Sequence, residues 1–138
     1  MAIYGILPTL GKLEEVLAER GNSTNWWTIV GYGLQGVIKP FAGDDYARYN
    51  ATTRLIEINS TFNGSGSSAK FTNNPGKGKD GKSKGGGCFG DSGGPVFYQD
   101  TPIIGAVVSW GLTPCIGMEF QFRIDTPTAL DFINSETE

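Results

Sequence analysis

Residues 76–95 read GKGKDGKSKGGGCFGDSGGP, and this stretch contains two glycine-rich patterns that belong to different chemistries. Residues 76–83 spell G-x-x-x-x-G-K-S, the pattern of a phosphate-binding loop. Residues 90–95 spell G-D-S-G-G-P, in which glycines flank Asp91 and Ser92 and permit a sharp turn. Both patterns cannot be the working site of one small domain, so their surroundings have to decide between them.

The surroundings of residues 76–83 do not suit a phosphate loop. Such a loop follows a buried parallel strand and opens a helix, whose N-terminus supplies amide donors and a favourable dipole. The preceding residues, KFTNNP, are polar and end in proline, and the following residues, KGGGC, contain three glycines that disfavour a helix. A segment rich in lysine and glycine matches the pattern through its composition, so we expect no nucleotide to bind here.

The composition describes one small domain rich in turns. The chain has 138 residues, 38% of them hydrophobic, with 21 glycines and 7 prolines, which favours short strands over a helical bundle. A net charge of −3 is too mild to indicate nucleic acid or a membrane surface as partner. The N-terminal sequence MAIYGILPTLGKL lacks the basic region and cleavage site of a signal peptide, and no transmembrane span is predicted.

The sequence contains no histidine, which removes the most common general base and a common metal ligand. We accordingly expect neither a metal nor a cofactor. Two cysteines, at 88 and 115, are either free thiols or one disulfide, depending on the compartment.

Apolar patterning predicts a mostly β chain between two short helices. A helix is expected at 12–20 and another at 128–134, with Thr126 as its N-cap. Residues 63–87 are polar and glycine-rich and predict a long, flexible basic loop. Strands are expected at 26–33, 46–59, 95–98, 103–110 and 119–124. Several short strands with a closing helix favour an antiparallel Greek-key β-barrel.

Four segments resemble one enzyme family. GGGCFGDSGGPVF (85–97) resembles the active-serine segment of chymotrypsin- and trypsin-like serine proteases, and IIGAVVSWG (103–111) resembles their substrate-pairing strand. FRIDTPTALDFI (122–133) is similar to their terminal strand and helix, and TIVGYG (28–33) to the first strand of their C-terminal barrel. The resemblance implies a single six-stranded Greek-key barrel over residues 26–138, the second half of a double barrel, preceded by a connector at 1–25.

The resemblance assigns catalytic roles to three residues of the GDSGG turn. Ser92 would be the nucleophile, and the backbone N–H groups of Gly90 and Ser92 would form an oxyanion hole, a feature worth about 3–4 kcal/mol per lost donor. Asp91 would be the buried carboxylate that pairs with a new N-terminal ammonium when a zymogen matures.

The resemblance also implies a substrate pocket beside this turn. Ser109, Trp110 and Gly111 would offer their backbone to an extended peptide, and a disulfide between Cys88 and Cys115 would pin the two walls of the primary pocket. Gly86 stands where the family often carries an aspartate that selects basic side chains, which implies an apolar or undemanding pocket.

Glu119 lies near another wall of this pocket and has two interpretations. It supplies a charge to the pocket, or it is an exposed glutamate of a strand. Because glutamate is rarely buried, the second interpretation is the prediction.

The family places its catalytic histidine and aspartate on a first barrel, and this chain corresponds to the second. We therefore expect the C-terminal half of a trypsin-like serine endopeptidase, truncated or encoded apart from its partner and inactive until an N-terminal barrel with the histidine is supplied. The alternative is a pseudoprotease remnant that binds peptides or proteins without cleaving them. The resemblance also implies a secreted, extracellular protein.

Overall fold

A computed structural model describes residues 4–21, 23–36, 47–58, 66–79 and 81–137. The described part of the chain forms two helices and nine strands. The helices are α1 (Lys12–Ala18) and α2 (Pro127–Thr137). The strands are β1 (Trp27–Gly31), β2 (Tyr49–Thr53), β3 (Leu55–Glu57), β4 (Ser68–Asn73), β5 (Gly76–Lys77), β6 (Ser83–Lys84), β7 (Pro95–Tyr98), β8 (Ile104–Gly111) and β9 (Gly117–Arg123). Neither described helix is long and apolar enough to cross a membrane.

The strands belong to one curled sheet with the order β3-β4-β9-β8-β7-β1-β2-β6-β5. All neighbouring pairs are antiparallel except β2 with β6. β2 runs into β3 with Arg54 alone between them, and the Thr72 amide of β4 donates to the Arg54 carbonyl oxygen at 2.9 Å. The continuous segment of β2 and β3 therefore pairs with β1 through β2 and with β4 through β3. Because β1 and β4 are separated by three strands in the sheet order, the sheet must curl to bring them to the same segment.

The predicted count of six strands is wrong. The second predicted strand, 46–59, is divided at Arg54 into β2 and β3, and residues 76–84 add the short hairpin of β5 and β6, in which Gly76 faces Lys84. The other predicted strands correspond to β1, β7, β8 and β9, and both predicted helices are present. Of 46–59, residues 46 and 59 lie outside the described residues.

Residues 63–87, predicted as one flexible loop, contain a buried strand. β4 pairs along its full length with β9, and its Ala69, Phe71 and Asn73 are buried. Buried and partly buried residues alternate along β4, but the polar residues around it made this pattern hard to recognise in the sequence. Asn73 occupies one of the buried positions because its side chain is hydrogen-bonded. Residues 63–65 and 80 lie outside the described residues.

The apolar core surrounds Trp27, which is fully buried. The Trp27 ring makes edge contacts with Phe71, at 5.8 Å between centroids, and with Tyr98, at 5.1 Å. Leu13 and Val16 of α1 belong to the same apolar cluster. Burying an aromatic side chain of this size supplies several kcal/mol, so β1, β4 and β7 are held against one another through Trp27.

A buried ion network fixes α1 to the end of β9. Asp125 is fully buried and accepts from the Leu13 amide at 2.8 Å and from Arg123 Nε at 2.9 Å, while Arg123 also donates to Glu14 at 2.6 Å. Partial burial acts to raise the pKa of Glu14, but the hydrogen bond and charge of Arg123 outweigh it and lower that pKa. Helix α1 is thus attached to the sheet by charge as well as by packing.

Helix α2 begins as its sequence predicts. The Ala129 amide donates to Thr126 Oγ1 at 3.3 Å, so Thr126 caps the helix, and Pro127 occupies the first turn, where its missing N–H is not needed.

Candidate functional site

The GDSGG segment forms a tight turn at the start of β7. Gly90 and Gly93 have φ angles of 101° and 84°, a left-handed conformation that side-chain-bearing residues rarely adopt. The Asp91 amide donates to the Cys88 carbonyl oxygen at 3.1 Å, and the Gly94 amide donates to the Asp91 carbonyl oxygen at 2.9 Å. Ser92 lies exposed on this turn, where its hydroxyl is accessible from solvent.

The Asp91 side chain points away from solvent-exposed Ser92 and anchors the turn from behind. Its Oδ1 accepts from the Gly33 amide at 2.7 Å, and its Oδ2 accepts from the Cys88 amide at 2.9 Å. A Cβ atom on Gly31 or Gly33 would lie within 2.7 Å of this carboxyl group, so the GYG end of β1 is shaped to receive it. Asp91 therefore couples the serine turn to β1.

The amides of Gly90 and Ser92 are free of protein acceptors within the described residues. The Ser92 hydroxyl likewise makes no hydrogen bond to a described residue, and the sequence has no histidine to pair with it. Two N–H donors without an acceptor thus lie next to an exposed hydroxyl, and no described side chain is hydrogen-bonded to that hydroxyl.

Beside Ser92 lies a cleft of about 220 Å³. The structure brings most of the predicted site residues together in its lining: Cys88, Ser92, Ser109, Trp110, Gly111 and Cys115. Gly87, Phe89, Val108, Leu112 and Glu119 complete it. The cleft extends from the serine turn along β8 to the first residues of β9.

The predicted disulfide between Cys88 and Cys115 is present, with a Cα–Cα distance of 5.4 Å. It joins the segment before the serine turn to the segment between β8 and β9. Because both cysteines line the cleft, the bond sets the separation of the two segments that border it.

β8 bends beside the cleft. The register of β8 against β9 shifts between Val108, opposite Gln121, and Trp110, opposite Phe120, and the Ser109 amide donates to the Gln121 side chain at 3.0 Å. Such irregularities re-aim backbone and side chains near binding sites. The Trp110 ring then stacks on Phe120 at 4.1 Å and stays partly exposed at the cleft.

Gly86 does not line the Ser92 cleft. It borders an adjacent cleft of about 220 Å³ that also reaches Asp91. A Cβ atom on Gly86 would lie 2.4 Å from Glu119 Oε1, so the absence of a side chain here makes room for Glu119.

The prediction that Glu119 is an exposed strand residue is wrong. Its exposed fraction is 2%, and its Oε2 accepts from the Gly87 amide at 2.6 Å and from Asn73 Nδ2 at 3.4 Å. Within the described residues its Oε1 has no hydrogen-bond partner. The prediction relied on the general rarity of buried glutamate. It failed because this carboxyl group accepts hydrogen bonds from a backbone amide and an asparagine side chain, which compensate its burial.

Burial raises the pKa of Glu119 to about 8. The Gly87 amide and the nearby Gln121 side chain act in the opposite direction, and the negative charge of Asp91 adds to the increase. The cleft thus holds a carboxyl group that keeps its proton at neutral pH.

The phosphate-loop pattern at 76–83 lies in a β-hairpin, whereas a phosphate-binding loop connects a buried strand to a helix. β5 and β6 form a hairpin whose turn is closed by the Gly78 amide donating to the Lys82 carbonyl oxygen at 2.9 Å, and residues 85–87 are not helical. Lys82 pairs with Asp100 at 2.9 Å and lies 3.8 Å above the Trp26 ring.

Comparison with solved structures finds the same fold in larger proteins. HL collagenase superposes with a TM-score of 0.62 at 21% identity over 95% of this chain and 52% of its own. A mutant of human heparin binding protein (CAP37) gives 0.59 at 16% identity over 99% and 52%. An inactivated protease paralogue of the scabies mite gives 0.51 at 13% identity over 97% and 53%. The chain thus spans about half the length of these structures.

A search of curated protein sequences finds no match to the chain. The family model described as Trypsin matches residues 26–133, which include β1 to β9 and most of α2. With the serine turn, the disulfide and the cleft inside the matched range, the chain belongs to the trypsin family.

Proposed function

We propose that this chain is the C-terminal, serine-bearing half of a secreted trypsin-like serine endopeptidase, with its curled sheet as the Greek-key barrel of that half. The observation that carries the proposal is the exposed Ser92 in the lining of the cleft, next to the Gly90 and Ser92 amides, which have no acceptor among the described residues. The disulfide is consistent with an oxidising, extracellular compartment.

In the proposed reaction Ser92 Oγ attacks the carbonyl carbon of the scissile peptide bond. The hydroxyl proton passes to a base supplied from outside this chain, and the carbonyl oxygen, now negative, accepts from the Gly90 and Ser92 amides. The C–N bond then breaks, the amine leaves with the proton, and water later hydrolyses the acyl-serine ester. Ser109, Trp110 and Gly111 would align the substrate backbone along β8.

The second candidate is a pseudoprotease that binds peptides or proteins in the same cleft. The observation that favours it is the lack of any histidine in the 138 residues, because loss of the base lowers turnover by about 10⁶ in a comparable triad. Binding along β8 needs no proton transfer, so a pseudoprotease could bind a peptide in this cleft without cleaving it.

Labelling with a fluorophosphonate separates the two candidates. We expect the purified chain to label slowly, and to label faster at Ser92 when imidazole supplies the missing base, with the site read by peptide mass mapping. The S92A variant should lose the label, whereas S109A, which removes another exposed hydroxyl of the same cleft, should keep it. Absence of imidazole-dependent labelling at Ser92 would favour the pseudoprotease.

A further inference from the structure

The hairpin of β5 and β6, residues 76–84, is the most basic short segment of the chain, and we call it the lysine hairpin. Its sequence contains four lysines and one aspartate, in a protein whose net charge is −3. Positive charge is therefore concentrated on one segment of an otherwise acidic chain. The proposed acyl-transfer chemistry uses none of these lysines.

The strands of the lysine hairpin are held against the rest of the sheet. The Gly78 amide donates to the Lys82 carbonyl oxygen across the turn, and β6 pairs with β2. The Lys82 side chain lies over the Trp26 ring and pairs with Asp100, so it attaches the hairpin to the residues before β1 and after β7. Because these contacts form before any ligand binds, a ligand of the hairpin has less ordering entropy to overcome than a ligand of a free loop.

Three lysines of the hairpin are accessible to a ligand. Lys77, Lys79 and Lys84 are exposed, and none of them forms an ion pair with another described residue. Lys82 differs from them, because an aspartate between β7 and β8 already pairs with it. Asp91, in the cleft that Lys84 also lines, directs its carboxyl group to two backbone amides. Three cationic groups therefore have no anionic partner within the described part of the chain.

The strand register distributes these charges around the hairpin. Lys77 lies opposite Ser83, and Lys84 lies opposite Gly76. Because opposite residues share a face and successive residues alternate, Lys77 and Lys84 project to different faces of the hairpin. Lys79 follows β5 and lies in the turn. A flat anionic surface meets only one face of such a hairpin, whereas a flexible linear polyanion can follow the hairpin and contact all three lysines.

We propose that the lysine hairpin binds a sulfated polysaccharide. Lysine ammonium groups bind dense negative charge as point charges, without a fixed geometry, and sulfate groups supply such charge along a flexible chain. The inference takes the extracellular setting from the proposed function, because sulfated polysaccharides are the polyanions of that compartment. Lys77, Lys79 and Lys84 do not line the Ser92 cleft, so the polysaccharide and a peptide substrate occupy separate surfaces.

Binding of dextran sulfate tests the inference without relying on catalysis. Labelled dextran sulfate and neutral dextran of the same length are the matched probes, and binding is read by fluorescence anisotropy. We expect dextran sulfate to bind at physiological salt and neutral dextran not to bind. The K77Q/K79Q/K84Q variant should bind dextran sulfate at least about tenfold more weakly, and the slope of log affinity against log salt concentration should fall by about 2.

The matched control, K12Q/R20Q/K70Q, removes three cations outside the hairpin, so both variants have the same net charge. Its affinity should stay within about twofold of the wild type, because distant exposed charges are screened by salt. The inference would be overturned by a failure of dextran sulfate to bind, or by equal losses in the two variants when circular dichroism shows both to be folded. Tighter binding of polyglutamate or single-stranded DNA of equal charge would also overturn it. None of these results would affect the labelling of Ser92.

Discussion

At the scale of single residues, Asp91 joins the serine turn to the rest of the sheet. Its two oxygens accept from the Gly33 and Cys88 amides, and each such bond to a charged group contributes about 1.5–3 kcal/mol. In D91N one oxygen becomes an NH₂ group that faces an N–H donor. We expect the free energy of unfolding in urea to fall by about 2 kcal/mol.

The matched control for D91N is D100N. Asp100 is mostly exposed and pairs with Lys82 on the surface, so its loss should cost less than about 0.5 kcal/mol. Equal losses for the two variants would mean that Asp91 does not anchor the turn.

Glu119 makes the stability of the protein depend on pH. Its pKa is about 8 in the folded chain and about 4.5 ordinarily, so the folded state retains a proton that the unfolded state releases. The stabilisation is complete below pH 4.5 and is lost as the pH rises to about 8, at up to about 1.4 kcal/mol per pH unit.

Urea unfolding of the wild type and E119Q at pH 5, 6, 7 and 8 measures this dependence. We expect the wild type to lose stability relative to E119Q across this range, whereas E57Q should follow the wild type. Parallel curves for the wild type and E119Q would show that Glu119 is not buried with a raised pKa.

Glu119 also shows which site residues the sequence could reveal. The turn at Ser92 was predictable because Gly90 and Gly93, which take the positive φ angles it needs, flank Asp91 and Ser92 in the sequence. The burial of Glu119 was not, because it depends on Asn73 and Gly87, which lie 46 and 32 residues away. Alternation along β9 was visible, yet Phe122 is 45% exposed while Glu119 and Gln121 are buried.

At the scale of elements, α1 depends on the ion network at the end of β9. Arg123 connects Glu14 of α1 to the fully buried Asp125. R123M removes the cation and leaves a buried carboxylate with fewer partners, which costs about 3–5 kcal/mol in comparable buried pairs. We expect a loss of about 3 kcal/mol in urea unfolding, together with faster amide exchange in residues 12–18.

R54M is the control for this element, because Arg54 is exposed and its described hydrogen bonds use its backbone. If the free energies of unfolding of R123M and R54M differ by less than about 0.5 kcal/mol, packing alone holds α1 against the sheet.

Strands with a local apolar pattern were predicted from the sequence, and strands that depend on distant partners were not. β7 and β8 are apolar runs separated by the five residues 99–103, so the local pattern predicts them as a hairpin. β4 was missed because its longer pairing is with β9, which is distant in sequence, and because its own residues are mostly polar. The short β5–β6 hairpin carries no apolar signal at all.

At the scale of the whole molecule, large apolar side chains remain exposed near the serine turn. Tyr32 is 59% exposed and Phe89 is 56% exposed. The segments that contain them are adjacent, because the amide of Leu34, two residues after Tyr32, donates to the Phe89 carbonyl oxygen at 2.9 Å. A patch of this kind favours association, so we expect the mean mass in light scattering to rise with protein concentration.

The Y32S/F89S double variant should reduce this self-association. The control is F132S, which removes another exposed aromatic ring, on α2. A monomer at every concentration, or equal effects of the two changes, would contradict the expectation.

We propose that Ser92 is the nucleophile of an acyl-transfer site whose base is supplied from outside this chain. The most direct measurement is the rate of fluorophosphonate labelling at Ser92 as a function of the concentration of neutral imidazole. We expect a rate that rises with neutral imidazole, does not respond to imidazolium, and is lost in S92A. A labelling rate at Ser92 that is fast without any added base, or that never responds to imidazole, would contradict it.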